Sequence, residues 1–248
     1  MTSPDTTTLA IVAAASALVI GVLRTSIGGG IGVTLTPILI LFMPAPTVLG
    51  LIGLLVILSD PISLGYFWRQ WDGAQLRLLI PASVAGVLVG ALVLAGLPER
   101  ELKRLIGAAA LTLALAQLPW LLAPVRRAHA LPWPLGLGVG FLSGIASAIA
   151  HSGGIIATPY LAARGLSNAQ VVGTYTPIQA VANVFKMGAY WGIGFLDGRL
   201  LVVSLSMVPL LYAGAWVGFR INAWLPRRAF AVAMIVIAIA GALRLLLG

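Results

Sequence analysis

The sequence predicts an all-α fold, a polytopic helical membrane protein built from two inverted repeats, and three observations carry that prediction. Charged residues make up 8% of the 248 and hydrophobic residues 60%, whereas a soluble chain carries about 25% charged residues. Apolar runs recur at lengths suited to a hydrocarbon core about 30 Å thick, which takes ~20 helical residues to cross. Glycine clusters interrupt two of those runs, Ile27-Gly28-Gly29-Gly30-Ile31-Gly32 and Ala150-His151-Ser152-Gly153-Gly154. Each is followed five residues later by a proline, Pro37 or Pro159. Glycine costs roughly 1 kcal/mol relative to alanine inside a helix, and paired interruptions in two halves of a hydrophobic chain point to a transporter's binding site.

Taken in order, Met1–Thr8 is a polar tail without the basic start of a cleaved signal, so the first apolar run reads as a membrane segment. Leu9–Ile27 is one helix, broken at Gly28–Gly32. Val33–Met43 is a second, whose eleven residues rise only about 16 Å. Pro44 and Pro46 end it. Val48–Trp68 is a span with Ser59-Asp60-Pro61 in its interior, and Leu78–Leu97 and Leu105–Leu122 are the next two. The second half repeats these pieces: Leu135–Ile149 up to the second break, a short helix Ile155–Ala163, then Ala169–Trp191, Leu200–Val217 and Ala229–Leu247.

Thr36-Pro37 pairs with Thr158-Pro159, Gly50 with Gly173, Asp60 with Asn183 and Asp72-Gly73 with Asp197-Gly198. Pro81, Gly86, Gly90 and Leu97-Pro98 recur at a constant offset of 128, as Pro209, Gly214, Gly218 and Leu225-Pro226. Residues 1–123 and 124–248 therefore form a tandem repeat, each half a glycine-broken helix pair plus three spanning helices. An odd number of crossings per half, five or three if each broken pair is a re-entrant hairpin, sends the second half in from the opposite side. If each broken pair makes one discontinuous pass, the halves are parallel.

Under inversion one side collects Arg69, Arg77, Arg126, Arg127, Arg164, Arg220, Arg227 and Arg228, and the other Arg100, Lys103, Arg104, Arg199 and Arg244. The richer side reads as cytoplasmic, with both termini outside. The net charge of +9 is thus a matter of topology, and no nucleic-acid motif accompanies it. Cysteine is absent, which removes disulfides and thiolate chemistry. No phosphate loop, dinucleotide fingerprint, metal cluster or nucleophile–base triad can be assembled, so neither an enzyme nor a cofactor is expected.

Polar groups inside an apolar slab need partners or a purpose. Arg24, Thr25, Ser26, Thr34 and Thr36 flank the first break, and His151, Ser152 and Thr158 the second. A helix restarting after glycines directs free N–H groups and a positive dipole end into the gap, and two such ends make a small-anion site. The bland alternative for the hydroxyls is bonding to their own helix carbonyls. Asp60, the only acid deep in a span, reads equally as a coupling group or as an ion-pair partner of Arg24. Lys186 reads as snorkelling to the end of its span. Gly86/Gly90, Gly136/Gly140/Gly144 and Gly214/Gly218 read as packing faces, and Trp68, Trp71, Trp120, Trp133, Tyr190, Trp191 and Trp224 as an aromatic belt.

The doubled order of glycine break, proline, a Gly opening the long helix, an Asp-containing loop, Gly-xxx-Gly and Leu-Pro runs from about Leu18 to Leu247. In this the chain resembles the sulfite exporter TauE/SafE family, also called the toluene-sulfonate uptake permease family. The resemblance implies secondary transport of small anions, chiefly sulfur-containing ones such as sulfite and sulfonates, across the bacterial inner membrane. The usual Gly-Ile-Gly-Gly-Gly differs at both breaks here, and the family's small Thr/Ser pair is Leu51-Ile52 and Thr174-Tyr175. Asp60, Pro177, Gln179 and Lys186 also depart from the family's pattern.

The expected substrate site comprises Arg24, Thr25, Ser26, Gly28, Gly29, Gly30, Gly32, Thr34, Thr36, His151, Ser152, Gly153, Gly154, Thr158, Thr174 and Asn183. Asp60 is the coupling candidate. The expected partners are a small anion and the bilayer; a coupling proton or sodium ion and a homodimer are compatible with the sequence, and nucleic acid is not a partner. An anion channel and a non-transporting membrane scaffold are the alternatives.

Overall fold

The computed structural model describes residues 5–26, 31–122, 132–222 and 227–247. Among them the chain is helical throughout, as expected: α1 Thr6–Ser26, α2 Ile31–Ile40, α3 Ala45–Tyr66, α4 Gly73–Ala95, α5 Glu99–Leu122, α6 Trp133–Ala150, α7 Gly154–Ala163, α8 Asn168–Gly192, α9 Gly198–Ser206, α10 Val208–Asn222 and α11 Arg227–Leu247. Gly28, Gly29, Gly30, the expected belt residue Trp224, and the side chains of Thr25, Ser26 and Trp120 lie outside what is described.

Local chemistry sets the boundaries. Asp72 caps α4 by accepting from the Ala74 and Gln75 N–H groups at 2.9 and 3.0 Å, and Asp197 caps α9 through Leu200 at 2.7 Å. Ser167 and Gln170 form a reciprocal capping box on α8. The prolines expected to end α2 also open α3, because the first helical positions need no N–H partner. The run Leu200–Val217, expected as one span, is instead split at Met207 and bent by 45° between α9 and α10. Pro209 supplies no N–H to the preceding turn, and Ser206 bonds back to the Val203 carbonyl at 2.8 Å.

Four helices, α1, α3, α4 and α6, are long and apolar enough to cross a membrane, and the bent α9–α10 pair adds a fifth if it forms one span. α8 has the length, 25 residues, but carries Thr174, Thr176, Gln179, Asn183 and Lys186. The outer surface is apolar: Leu92 is 72% exposed and Val202 67%. Arg24, Asp60, His151, Asn183 and Lys186 are all buried. Polar groups inside and leucines outside are what a lipid solvent selects, and the chain is a multi-pass membrane protein.

α1 packs on α10, α4 on α6, α5 on α11 and α3 on α8. The glycines read as packing faces sit at these crossings. A Cβ on Gly86 would meet the carbonyl oxygen of Phe141, and one on Gly214 that of Leu18. A Cβ on Gly144 would meet the Ser83 carbonyl and Val87 nitrogen, and one on Gly21 the Leu211 carbonyl and Ala215 nitrogen. The same contacts are made twice, with the halves exchanged. Gly144→Ala is therefore expected to destabilise by about 1–3 kcal/mol through overpacking. Gly138→Ala, on the same helix with open space around it, should unfold at or slightly above the wild-type midpoint. Equal midpoints for the two variants in detergent would refute the close crossing.

Candidate functional site

The second break is built on a strained residue. His151 ends α6 with φ 50° and ψ 34°, a left-handed conformation that costs a residue with a Cβ roughly 1–2 kcal/mol. Its N–H donates to the Ser147 carbonyl at 3.1 Å, and that of Ser152 to the Ala146 carbonyl at 3.2 Å. The imidazole offsets the strain by bonding at both nitrogens. Nε2 lies 3.1 Å from the Leu49 carbonyl of α3, and Nδ1 lies 3.0 Å from Lys186 Nζ of α8. A carbonyl only accepts, so Nε2 carries the hydrogen and Nδ1 accepts from the lysine, which assigns the neutral tautomer through its partners.

Lys186 is fully buried. Its ammonium also reaches the Ser147 carbonyl and hydroxyl at 3.4 and 3.3 Å. The snorkelling expected for it does not occur. α6 stops against this face of α8 and offers a carbonyl, a hydroxyl and a ring nitrogen, while the membrane boundary offers Lys186 nothing comparable without crossing the rest of its helix. Asn183, Lys186 and Tyr190, at spacings of three and four residues, form one stripe on α8. Tyr190, expected in the aromatic belt, is likewise fully buried. It donates to the Ala148 carbonyl and sets its ring edge-on to His151, with centroids 6.2 Å apart.

Beside this stripe stands the ion pair that was one of the two readings of Asp60. Arg24 Nη2, in the last turn of α1, donates to Asp60 Oδ1. Asn183 Nδ2 donates to Asp60 Oδ2 at 2.8 Å. Both carboxylate oxygens are taken, and the residues paired by the repeat, Asp60 and Asn183, touch each other. Among the described residues, Arg24 Nε and Asn183 Oδ1 are buried with no hydrogen-bond partner. Tyr175, buried two turns earlier on α8, stands beside Ser143 and within electrostatic reach of Arg24, as does Lys186.

The charge count is decisive. The chain has six carboxylic side chains, and each is placed. Asp72 and Asp197 cap helices, Glu99 and Glu101 pair with Lys103 and Arg104 at 3.0 Å, and Asp5 holds the Thr8 N–H at 3.3 Å. Only Asp60 reaches the buried centre. With Lys186 protonated, Arg24 and Lys186 against Asp60 leave one positive charge without a carboxylate partner among buried groups, where an unpaired ion costs several kcal/mol.

The two breaks meet. A Cβ on Gly32, at the start of α2, would collide with the Ala150 carbonyl and come 2.5 Å from His151 Cβ. Of the other expected ligands, Ser152 bonds the Ala150 carbonyl at 2.6 Å, Thr158 the Gly154 carbonyl at 2.7 Å and Thr34 the Met234 carbonyl of α11 at 3.2 Å. Thr158 follows the bland alternative of bonding within its own helix, whereas Thr34 reaches a different helix and Ser152 bonds back to the end of α6. The Thr36 hydroxyl is buried with no hydrogen-bond partner among the described residues. Gly153 packs on Ser143, whose hydroxyl donates to its carbonyl at 2.9 Å, and Gly154 opens α7. Thr174 accepts from the Asp72 N–H at 3.0 Å, at the start of α4. Its nine-residue separation from Asn183 is on the order of 13 Å along α8, so it stands apart from the centre. Ser147 escaped the sequence reading, Tyr175 was given no role in it, and Tyr190 and Lys186 were noticed but assigned to the wrong environment. The Asn183–Lys186–Tyr190 stripe was the available signal.

No curated protein and no solved structure matches the chain. A family model described as sulfite exporter TauE/SafE matches residues 13–245, a stretch that contains every residue of the buried centre. On that match, the chain belongs to the sulfite exporter TauE/SafE family of membrane transporters.

Proposed function

We propose that this protein is a secondary transporter of a small anion, sulfur-containing as in sulfite or a sulfonate, which binds at the centre where the two breaks meet. The observation that supports it best is the unmatched buried positive charge of Lys186 beside Arg24. An anion there would satisfy Lys186 and the free Arg24 Nε together, and the glycines at Gly32 and Gly153 bring backbone close to it. Asp60 serves as the fixed counter-charge of Arg24.

Alternating access is one half rocking against the other. The exchange of contacts between the halves, with Asp60 and Asn183 bonded at their meeting point, supports two repeats related by a two-fold axis. The odd number of crossings supports inversion. The charge bias of the loops supports a reading with both termini outside, in a bacterial inner membrane.

Saturable uptake of labelled sulfite, methanesulfonate or acetate into proteoliposomes is the expected result, with the sulfur oxyanions preferred. No saturable flux of any of the three would refute the reading, and a linear, non-saturating conductance would identify a channel. If Asp60 is instead the coupling group, Asp60→Asn abolishes pH-driven uptake while sparing exchange.

A further inference from the structure

We infer that the centre takes up one monoanion together with one proton, the proton residing on the Lys186–His151 pair, so that net transport is electroneutral. This rests on the anion-transport reading above and concerns what accompanies the anion. His151 is pinned, because its Nε2–H is committed to the Leu49 carbonyl at 3.1 Å. Its one remaining ring position, Nδ1, faces Lys186 Nζ at 3.0 Å. Protonating both groups would set N–H against N–H at that distance, with two like charges in a buried site. The pair therefore carries one positive charge or none: ammonium against a ring lone pair, or amine against imidazole.

Around that pair the charges are fixed. Arg24 from α1 and Asp60 from α3 neutralise each other, and Asn183 occupies the second oxygen of Asp60. On α8 itself the other titratable groups are Tyr175 and Tyr190; the Tyr190 hydroxyl is committed to the Ala148 carbonyl and Tyr175 stands beside Ser143. α7 also packs on α8 and brings Tyr160, whose hydroxyl lies beside Gly136, at the opposite end of α6 from His151. α4 brings only Arg77, in the turn next to its Asp72 cap. The described residues of α2 and α6 bring no further titratable side chain, His151 itself excepted.

The centre as a whole thus alternates between one net positive charge and zero. A monoanion matches the first state. A dianion would leave a buried negative charge without a partner, and proton departure with the anion still bound would do the same. Departure of the anion alone would strand the ammonium. Leaving together is the least costly course for both, since each stranded ion costs several kcal/mol in a dry interior.

The test uses the full-length wild-type protein. In weakly buffered detergent near neutral pH, adding methanesulfonate, a permanent monoanion, is expected to draw one proton from solution per anion bound, read by a pH indicator. In proteoliposomes, methanesulfonate uptake should acidify the interior one-for-one and be unchanged by an imposed potassium–valinomycin potential. Sulfate, a permanent dianion, should enter at least tenfold more slowly. His151→Asn suits the left-handed backbone but removes the ring, and is expected to lower the proton-to-anion ratio. Binding without proton uptake, or uptake that follows the imposed potential, overturns the inference while leaving anion transport standing. Absence of any anion binding overturns the transport reading itself and this inference with it.

Discussion

Truncating Asp60 to alanine is expected to destabilise the folded protein by about 3–5 kcal/mol, the cost of leaving one member of a buried ion pair alone. The guanidinium of Arg24 cannot turn to another acid, because the other five carboxylates of the chain are committed at helix caps and loops. The Asn183 amide loses its acceptor in the same change, and a buried donor left unsatisfied costs a further ~1–3 kcal/mol. The decisive comparison is with the double variant Asp60→Ala/Arg24→Met. Replacing a buried pair with apolar groups of similar volume is often neutral or stabilising by about 1–4 kcal/mol, so the second substitution should recover much of the loss. Denaturant midpoints in mixed micelles measure both. If Asp60→Ala unfolds outright, the recovery is still read from the double variant. A double variant no more stable than the single one would show that Asp60 does not act through Arg24.

How far the sequence reached can be judged on these same residues. The helical membrane class and the close helix crossings at Gly86 and Gly214 were legible because they rest on composition and on spaced Gly positions, which report backbone constraints directly. Asp60 and Asn183 were legible as corresponding positions in the two halves of the sequence but not as a contact, since a correspondence in register does not say which mates touch. Lys186 was misread because its position near a helix end is the same for a snorkelling lysine and a buried one. What distinguishes them is the end of α6, thirty-five residues away in sequence, which supplies the His151 ring and the Ser147 oxygens. The hydroxyls were over-read: Thr34, Ser152 and Thr158 lie near the breaks, but carbonyls within reach take their hydrogens. The split of α9 from α10 was missed because the mate of Pro209, Pro81, sits within the unbroken α4.

Lys186→Met is expected to abolish anion binding and transport while leaving the protein as stable as the wild type or more so. Methionine approximates the volume of the lysine stem, and the change removes a fully buried amino group whose protonated form has no carboxylate partner. Against that gain stands the loss of a donor to His151 Nδ1 and Ser147, worth about 1–3 kcal/mol where a buried acceptor is left bare. Removing the ion's burial cost of several kcal/mol is the larger effect. Function runs the other way. Truncating one partner of a buried charge pair costs a ligand about 2–5 kcal/mol, which at 1.4 kcal/mol per tenfold is roughly thirty- to several-thousand-fold in affinity. The measurement pairs unfolding midpoints with and without sulfite or methanesulfonate. An anion at a hundred times its dissociation constant stabilises the wild type by about 2.7 kcal/mol, and that increment should vanish in Lys186→Met. A purely structural lysine predicts the opposite pattern, with a lowered midpoint and an intact anion-dependent increment. The two outcomes therefore separate a lysine kept buried to hold an anion from one kept to hold the fold, because only the first leaves a protein that gains stability as it loses function.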